Sequence, residues 1–278
     1  MIFSTQSVNI IKYSAGESTR QNDVLSVEEP LEIGIRYGLN LEFKSLSVTM
    51  RTPGHDEELA LGFLLGEGII SNYEDVIGAV QEDENRITVI LHEGVPFDPT
   101  QFERHIYTTS SCGICAKASI EAVRVEGTLP AMPQHWSVKS STLYSLPALL
   151  REGQADFEST GGLHAAALFT QNGDFLYLRE DVGRHNALDK VVGHALQTNV
   201  YPLRTQILLL SGRASFELIQ KAALVGISFV AAVGAPSTLA VQLAHEMNIT
   251  LVGFLRGHRF NVYSGAERVN GEGSNGEG

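Results

Sequence analysis

Along the second half of the chain, short apolar runs alternate with amphipathic stretches. His164 to Thr170 and Phe175 to Arg179 flank an Asn172-Gly173 turn signal and predict an antiparallel hairpin. From Asn186 to Leu196 the apolar positions Leu188, Val191, Val192, Ala195 and Leu196 fall at helical spacing. Gln206 to Leu210 is a short β-rich run ended by Ser211-Gly212. Ser215 then stands as a cap for a helix over Phe216 to Val225, closed by Gly226. The same cycle repeats: a strand over Ile227 to Val233, Ser237 as cap for a helix over Thr238 to Met247, and a last strand over Ile249 to Leu255. Strands joined through helices imply parallel pairing with right-handed crossovers.

The first half is less periodic. Strands are expected around Glu32 to Tyr37, Leu41 to Thr49 and Arg86 to His92, around one amphipathic helix, His55 to Leu65, which Pro53-Gly54 introduces. Between the halves, a helix is expected from about Ser145 to Phe157, with Pro147 accommodated in its first turn. The fold class is therefore α/β, with a mixed sheet flanked by helices and a smaller α+β unit. The expected division is 1–135 for the smaller unit, 136–263 for the α/β core, and 264–278 for a mobile tail rich in Gly, Glu, Ser and Asn. No repeat of solenoid or propeller period is visible.

Composition narrows the function. At 278 residues and 43% hydrophobic, the chain is long enough for a sizeable core. The net charge of -12 disfavours general attraction to nucleic acid or to an anionic membrane, leaving only local basic sites. The longest apolar stretch, Ala222 to Ala235, is shorter than a bilayer span of roughly 20 residues and is broken by Gly226. Met1 to Lys12 carries no secretory pattern, so the cytoplasm is the expected compartment.

Only two cysteines occur, Cys112 and Cys115, in Thr108-Thr-Ser-Ser-Cys-Gly-Ile-Cys-Ala-Lys117. That excludes a disulfide framework and directs attention to thiol chemistry. A thiolate is the nucleophile and sulfur acceptor, and Lys117 with local backbone N–H groups would lower its pKa. Three other readings stand beside this one. A structural zinc site would need His105 and a distant His to complete four ligands. A thioredoxin-like redox pair lacks the expected strand-to-helix context. Two inert buried thiols would have Ser110, Ser111 and Gly113 as poor core neighbours.

The predicted strand ends carry basic turns: Arg184-His185, Ser211-Gly212-Arg213, Gly234-Ala-Pro-Ser237, and Phe254-Leu255-Arg256-Gly257-His258-Arg259. In open α/β sheets, ligands bind beyond the carboxyl ends of the strands, where helix N-termini point free N–H groups. Arginine there suits phosphate. Each turn taken alone is an ordinary solvated charge, and His185 and His258 read equally as scaffold residues. The clustering points to an anionic, nucleotide-like ligand, although neither G-x-G-x-x-G nor a Walker A sequence is present.

Five segments in order resemble the FdhD/NarQ family: Arg51-Thr-Pro-Gly-His-Asp-Glu-Glu-Leu-Ala-Leu-Gly-Phe-Leu-Leu-Gly-Glu-Gly, Ser111-Cys-Gly-Ile-Cys, Thr160-Gly-Gly-Leu-His-Ala-Ala, Arg179-Glu-Asp-Val-Gly-Arg-His-Asn-Ala-Leu-Asp-Lys, and Gly253-Phe-Leu-Arg-Gly-His-Arg-Phe-Asn-Val-Tyr. The resemblance implies a formate dehydrogenase accessory sulfurtransferase, acting between a cysteine desulfurase and the molybdenum cofactor. Cys112 then matches the persulfide cysteine, and Cys115 an auxiliary thiol whose role stays open. Phe254, Leu255, Arg256, Gly257, His258 and Arg259 match the segment that binds the bis(molybdopterin guanine dinucleotide) form of the cofactor. Formate dehydrogenase is the implied client, a homodimer the implied assembly, and no permanently bound metal is expected.

The resemblance also implies a core like that of cytidine deaminases. Here, however, His164-Ala-Ala166 stands where a deaminase has His-x-Glu, so the general acid/base is missing and zinc-dependent deamination is unsupported. Two alternatives remain open at this stage: a thiol-disulfide oxidoreductase, and a non-enzymatic cofactor-binding chaperone.

Overall fold

The computed structural model describes residues 3–100, 102 and 136–271; Cys112, Cys115 and the expected domain boundary near residue 135 lie outside them. Two sheets carry the architecture. The first is four-stranded, in the order β4-β3-β6-β5, built from β3 (Glu29–Tyr37), β4 (Glu42–Arg51), β5 (Val76–Asp83) and β6 (Arg86–Leu91). The second is six-stranded, in the order β13-β12-β11-β10-β8-β9. Its strands are β8 (His164–Thr170), β9 (Phe175–Asp181), β10 (Gln206–Leu210), β11 (Phe229–Ala232), β12 (Thr250–Arg256) and β13 (Arg259–Ser264). β10, β11 and β12 run parallel, as the alternating pattern requires, while β8, β9 and β13 run antiparallel to their neighbours.

Helices fill the space between the sheets. α1 (Asp56–Gly66) belongs to the first unit, and α4 (Arg184–Gln197), α5 (Phe216–Leu224) and α6 (Thr238–Glu246) to the second. One continuous core takes Leu31, Ile33 and Ile35 from β3, Leu59 to Leu65 from α1, Leu188 to Leu196 from α4, and Leu208, Val230 and Leu251 from the six-stranded sheet. A second core lies on that sheet's other face, where Phe169, Leu209 and Phe229 meet α2 (Ser140–Gly153) and Trp136. Ile207–Leu210 of β10 and Phe229–Ala232 of β11 are apolar and buried because both faces are covered.

The α1–α4 crossing is the closest contact between the units. A Cβ on Gly62 would overlap the Asp189 carbonyl, and one on Gly193 would overlap the Glu58 carbonyl, so only glycine lets the two backbones touch. Within each unit, polar groups brace the helix that makes this contact. Arg51, fully buried, forms two bonds of 3.0 Å to Asp56 and one of 2.8 Å to the Glu84 carbonyl. Lys221 bonds both oxygens of Asp189 at 2.6 and 2.7 Å.

Several elements differ from expectation. β1 (Thr5–Ser14) and β2 (Glu17–Ser26) form a separate hairpin in a stretch with little periodicity to announce it. Pro147 sits in the middle of α2, because the helix begins at Ser140; a short α3 (Ala155–Thr160) follows it. The expected tail begins too early. Ser264 ends β13, Ala266–Arg268 form a 3-10 turn, and β14 (Val269–Asn270) pairs with β7 (Val138–Lys139). Arg268 anchors this segment through bonds of 2.6 Å to the Thr250 hydroxyl and 2.8 Å to the Asn248 carbonyl.

A basic edge at the carboxyl ends of the strands

The loops after the parallel strands are stitched into one backbone ladder. Ser211 N–H donates to the Ala165 carbonyl at 2.9 Å, Gly234 N–H to Gly212 at 2.9 Å, and Phe254 N–H to Gly234 at 3.0 Å. The strand register therefore extends through the turns and fixes them relative to one another. Ala214 and Pro236 bridge in the same way. Because β9 runs antiparallel to β8, the start of α4 is delivered to this edge as well. The N-termini of α4, α5 and α6 thus converge on one side of the sheet, each offering unsatisfied N–H groups and a partial positive charge.

The side chains there are mostly basic or hydroxylic, with Glu217 an acid among them. His164 opens β8 beside Gly212, and Arg184 and His185 form the first turn of α4. His185 Nε2 lies 3.3 Å from the Ser215 hydroxyl and 3.7 Å from Glu217. Burial holds the His164 imidazole below its ordinary pKa, and the positive charges of Arg184 and His185 push it the same way. It is thus neutral near pH 7 and available as a hydrogen-bond partner. The bond to His185 is the main cause that brings the Glu217 carboxyl down to about 2, against the opposite push of burial.

Helix capping differs from the sequence reading at one of the two serines. Ser237 accepts from Ala240 N–H at 3.2 Å, as expected. Ser215 stands at the N-cap position of α5 without a side-chain cap bond, its hydroxyl instead meeting His185. Arg213 is exposed in the β10–α5 loop.

The segment Phe254 to Arg259 was expected as a turn after the last strand; it forms the tip of the β12–β13 hairpin. Leu255 is fully buried in the second core, so its side chain serves packing. Phe254 is 40% exposed and has φ +53° at a register shift, a left-handed conformation that is unfavourable for a bulky aromatic residue. Such strain persists only where surrounding structure enforces it, here through the bond to Gly234. Gly257 turns the tip with φ +51°. Arg256 and Arg259 are exposed and directly opposed across the hairpin. Like charges in that position repel, an arrangement relieved when an anion lies between them. His258 rests edge-on against Tyr144 of α2 at 5.2 Å, which orients its ring.

The sequence did not single out Asp181, Thr52 or Lys190. Asp181 is fully buried and paired with Lys190 Nζ at 2.7 Å; Lys190 also donates to the Thr52 carbonyl at 2.8 Å. Much of the Arg179 to Lys190 motif thus ties the two units together. The signal was present in two strongly polar stretches, Arg51 to Glu58 and Arg179 to Lys190, whose pairing sequence alone does not reveal. Among the described residues, no group of three or more His, Cys, Asp and Glu side chains is placed to hold a metal ion.

A mixed α/β protein with a basic edge at its strand ends is the class that these features define. Comparison with known proteins goes further: the FdhD/NarQ family model matches residues 27–270, and the chain belongs to that family. It is 48% identical over 275 residues to the sulfur carrier protein FdhD of Streptomyces coelicolor, with 95% of each chain covered. To the protein of that name in Nocardia farcinica it is 50% identical over 264 residues, covering 92% of this chain and 91% of the other. The corresponding Sulfurisphaera tokodaii protein is 38% identical over 262 residues, covering 94% and 98%. The fold is similar to the crystal structure of a candidate formate dehydrogenase accessory protein from Desulfotalea psychrophila, with a TM-score of 0.77, 22% identity, and 96% and 100% of the two chains covered.

Proposed function

We propose that the protein is a sulfur carrier that supports formate dehydrogenase. It accepts sulfur as a persulfide on Cys112 from a cysteine desulfurase and passes it to the molybdenum cofactor. The observation that carries this reading is identity of 48% and 50% with sulfur carrier proteins over at least 91% of each chain. The geometry supports it with an anion-directed edge at the strand ends.

The cofactor, as the acceptor substrate, carries phosphates in its guanine dinucleotide arms. Arg256 and Arg259 at the hairpin tip, with the helix N-termini beside them, suit those phosphates. The exposed Phe254 ring offers a stacking face. On the donor side, the Cys112 thiolate attacks the terminal sulfur of the desulfurase persulfide. The bond between the two sulfurs of that persulfide breaks, the desulfurase cysteine leaves as thiolate, and Cys112 keeps the transferred sulfur. Among the described residues no helix is long and apolar enough to cross a membrane; a cytoplasmic location, beside the desulfurase, is part of the proposal.

A cell-based experiment tests the reading. In a strain lacking its own carrier, the wild-type gene restores formate dehydrogenase activity, whereas a gene carrying Cys112→Ser leaves activity at background while the protein accumulates normally. Full restoration by Cys112→Ser would refute the persulfide role and favour a cofactor-binding chaperone.

A further inference from the structure

We propose that Asp181 is a positioning residue for the basic edge, fastening the first turn of α4, and with it Arg184 and His185, to the Thr52 turn of the first unit. The inference rests on the reading of this edge as an anion-binding site.

α4 begins without a side-chain cap of its own. Its N-cap residue is Gly183, which has no side chain to cap the helix. Asp181 takes over that task from two residues earlier. Its Oδ1 accepts from Gly183 N–H at 2.8 Å and from Asn186 Nδ2 at 3.0 Å, both in the turn that carries Arg184 and His185. Its Oδ2 accepts from Thr52 N–H at 3.1 Å and from Lys190 Nζ at 2.7 Å. All four lone-pair sites of the carboxylate are filled. Thr52 answers in kind, its hydroxyl accepting from Val182 N–H at 3.1 Å. The lock therefore joins the loop before α1 to the loop before α4 in both directions.

Asp181 is also the cross-strand partner of His164 in the β8–β9 ladder. The residue whose carboxylate holds the α4 turn thus also sits in register with the strand position that carries the histidine. The charged groups that act on His164 are Arg184 and His185 from α4 and Asp181 from β9, and only Asp181 favours its protonated form. Positioning and charge make opposite predictions for ligand binding. Removing a buried negative charge beside an anion site would strengthen anion binding by electrostatics alone. Loosening the turn that aims Arg184 and His185 would weaken it.

Full-length Asp181→Asn and Thr52→Val proteins test the inference. Three readouts apply: calorimetric titration with inorganic pyrophosphate, NMR titration of His164 assigned with a His164→Gln protein, and hydrogen exchange at the Val182 and Gly183 amides. Asp181→Asn is expected to bind pyrophosphate about tenfold more weakly, a typical scale for coupling between linked sites, with the His164 midpoint shifted down. Thr52→Val keeps the carboxylate charge; it is expected to speed exchange at both amides and weaken pyrophosphate binding, with little change at His164. A folded Asp181→Asn protein that binds pyrophosphate as well as or better than wild type would overturn the proposal. If Asp181→Asn does not fold, Thr52→Val decides, and unchanged exchange and affinity there would overturn it. If the wild-type protein binds no pyrophosphate, the anion-site reading fails. Exchange in Thr52→Val then still decides whether the lock holds the α4 turn.

Discussion

At the scale of single residues, burial and charge pull in opposite directions at Glu58. Burial acts to raise its carboxyl pKa, but hydrogen bonds from Arg179 and His55, with the charges behind them, outweigh it and bring the value down to about 2. Arg179 bonds both oxygens, at 2.5 and 2.7 Å, and His194 approaches at 2.9 Å. A carboxylate depressed below its unfolded value contributes stability above that value and loses it as pH falls toward the folded one. The contribution is of order 3 kcal/mol, fading between about pH 5 and pH 2. Denaturant melts of Glu58→Gln are expected to show lower stability than wild type at pH 7 and a shallower loss on acidification; parallel curves would contradict this. Phe254 offers a test of strain. Glycine adopts φ +53° without penalty, so Phe254→Gly is expected to change stability by no more than about 1 kcal/mol while weakening binding of a guanine nucleotide probe. A loss of several kcal/mol in thermal unfolding would mean that the ring is structural.

At the scale of elements, the α1–α4 contact depends on two glycines in reciprocal positions. Gly193→Ala would place a methyl group against the Glu58 carbonyl, and overpacking of this kind costs roughly 1–3 kcal/mol. The lower unfolding midpoint should come with faster hydrogen exchange at the α1–α4 seam, whereas a protein as stable as wild type would show that the helices can part without cost. The parallel core was legible because its signals are local: Gln206 to Leu210 is the observed β10, and Ser237 caps α6 as its position implied. The β1–β2 hairpin was not legible. Its twenty strand residues contain no fully buried position, so no apolar alternation marks them. The β12–β13 hairpin was read as a loop because Arg256-Gly257-His258-Arg259 resembles a basic turn, and the returning strand Arg259–Ser264 has only one buried residue. The early start assigned to the tail failed for a similar reason. Two strand residues at Val269–Asn270 and one arginine hold that segment, and neither leaves a periodic trace.

At the scale of the whole molecule, two units share one core and a polar seam, and the larger unit presents its strand ends as a basic edge on a protein of net charge -12. Long-range repulsion combined with local attraction favours a ligand that fits the edge over polyanions in general. Arg184, His185 and the hairpin-tip arginines were visible in the sequence as basic turns. Their supports were not, because Thr52 and Asp181 lie 129 positions apart in the chain. The central claim is that Cys112 carries sulfur, and peptide mass spectrometry tests it most directly, after incubation with a cysteine desulfurase and cysteine in the absence of reductant. One added sulfur atom is expected on the peptide containing Cys112, absent from Cys112→Ser. An unmodified peptide, or a Cys112-Cys115 disulfide in its place, would contradict it.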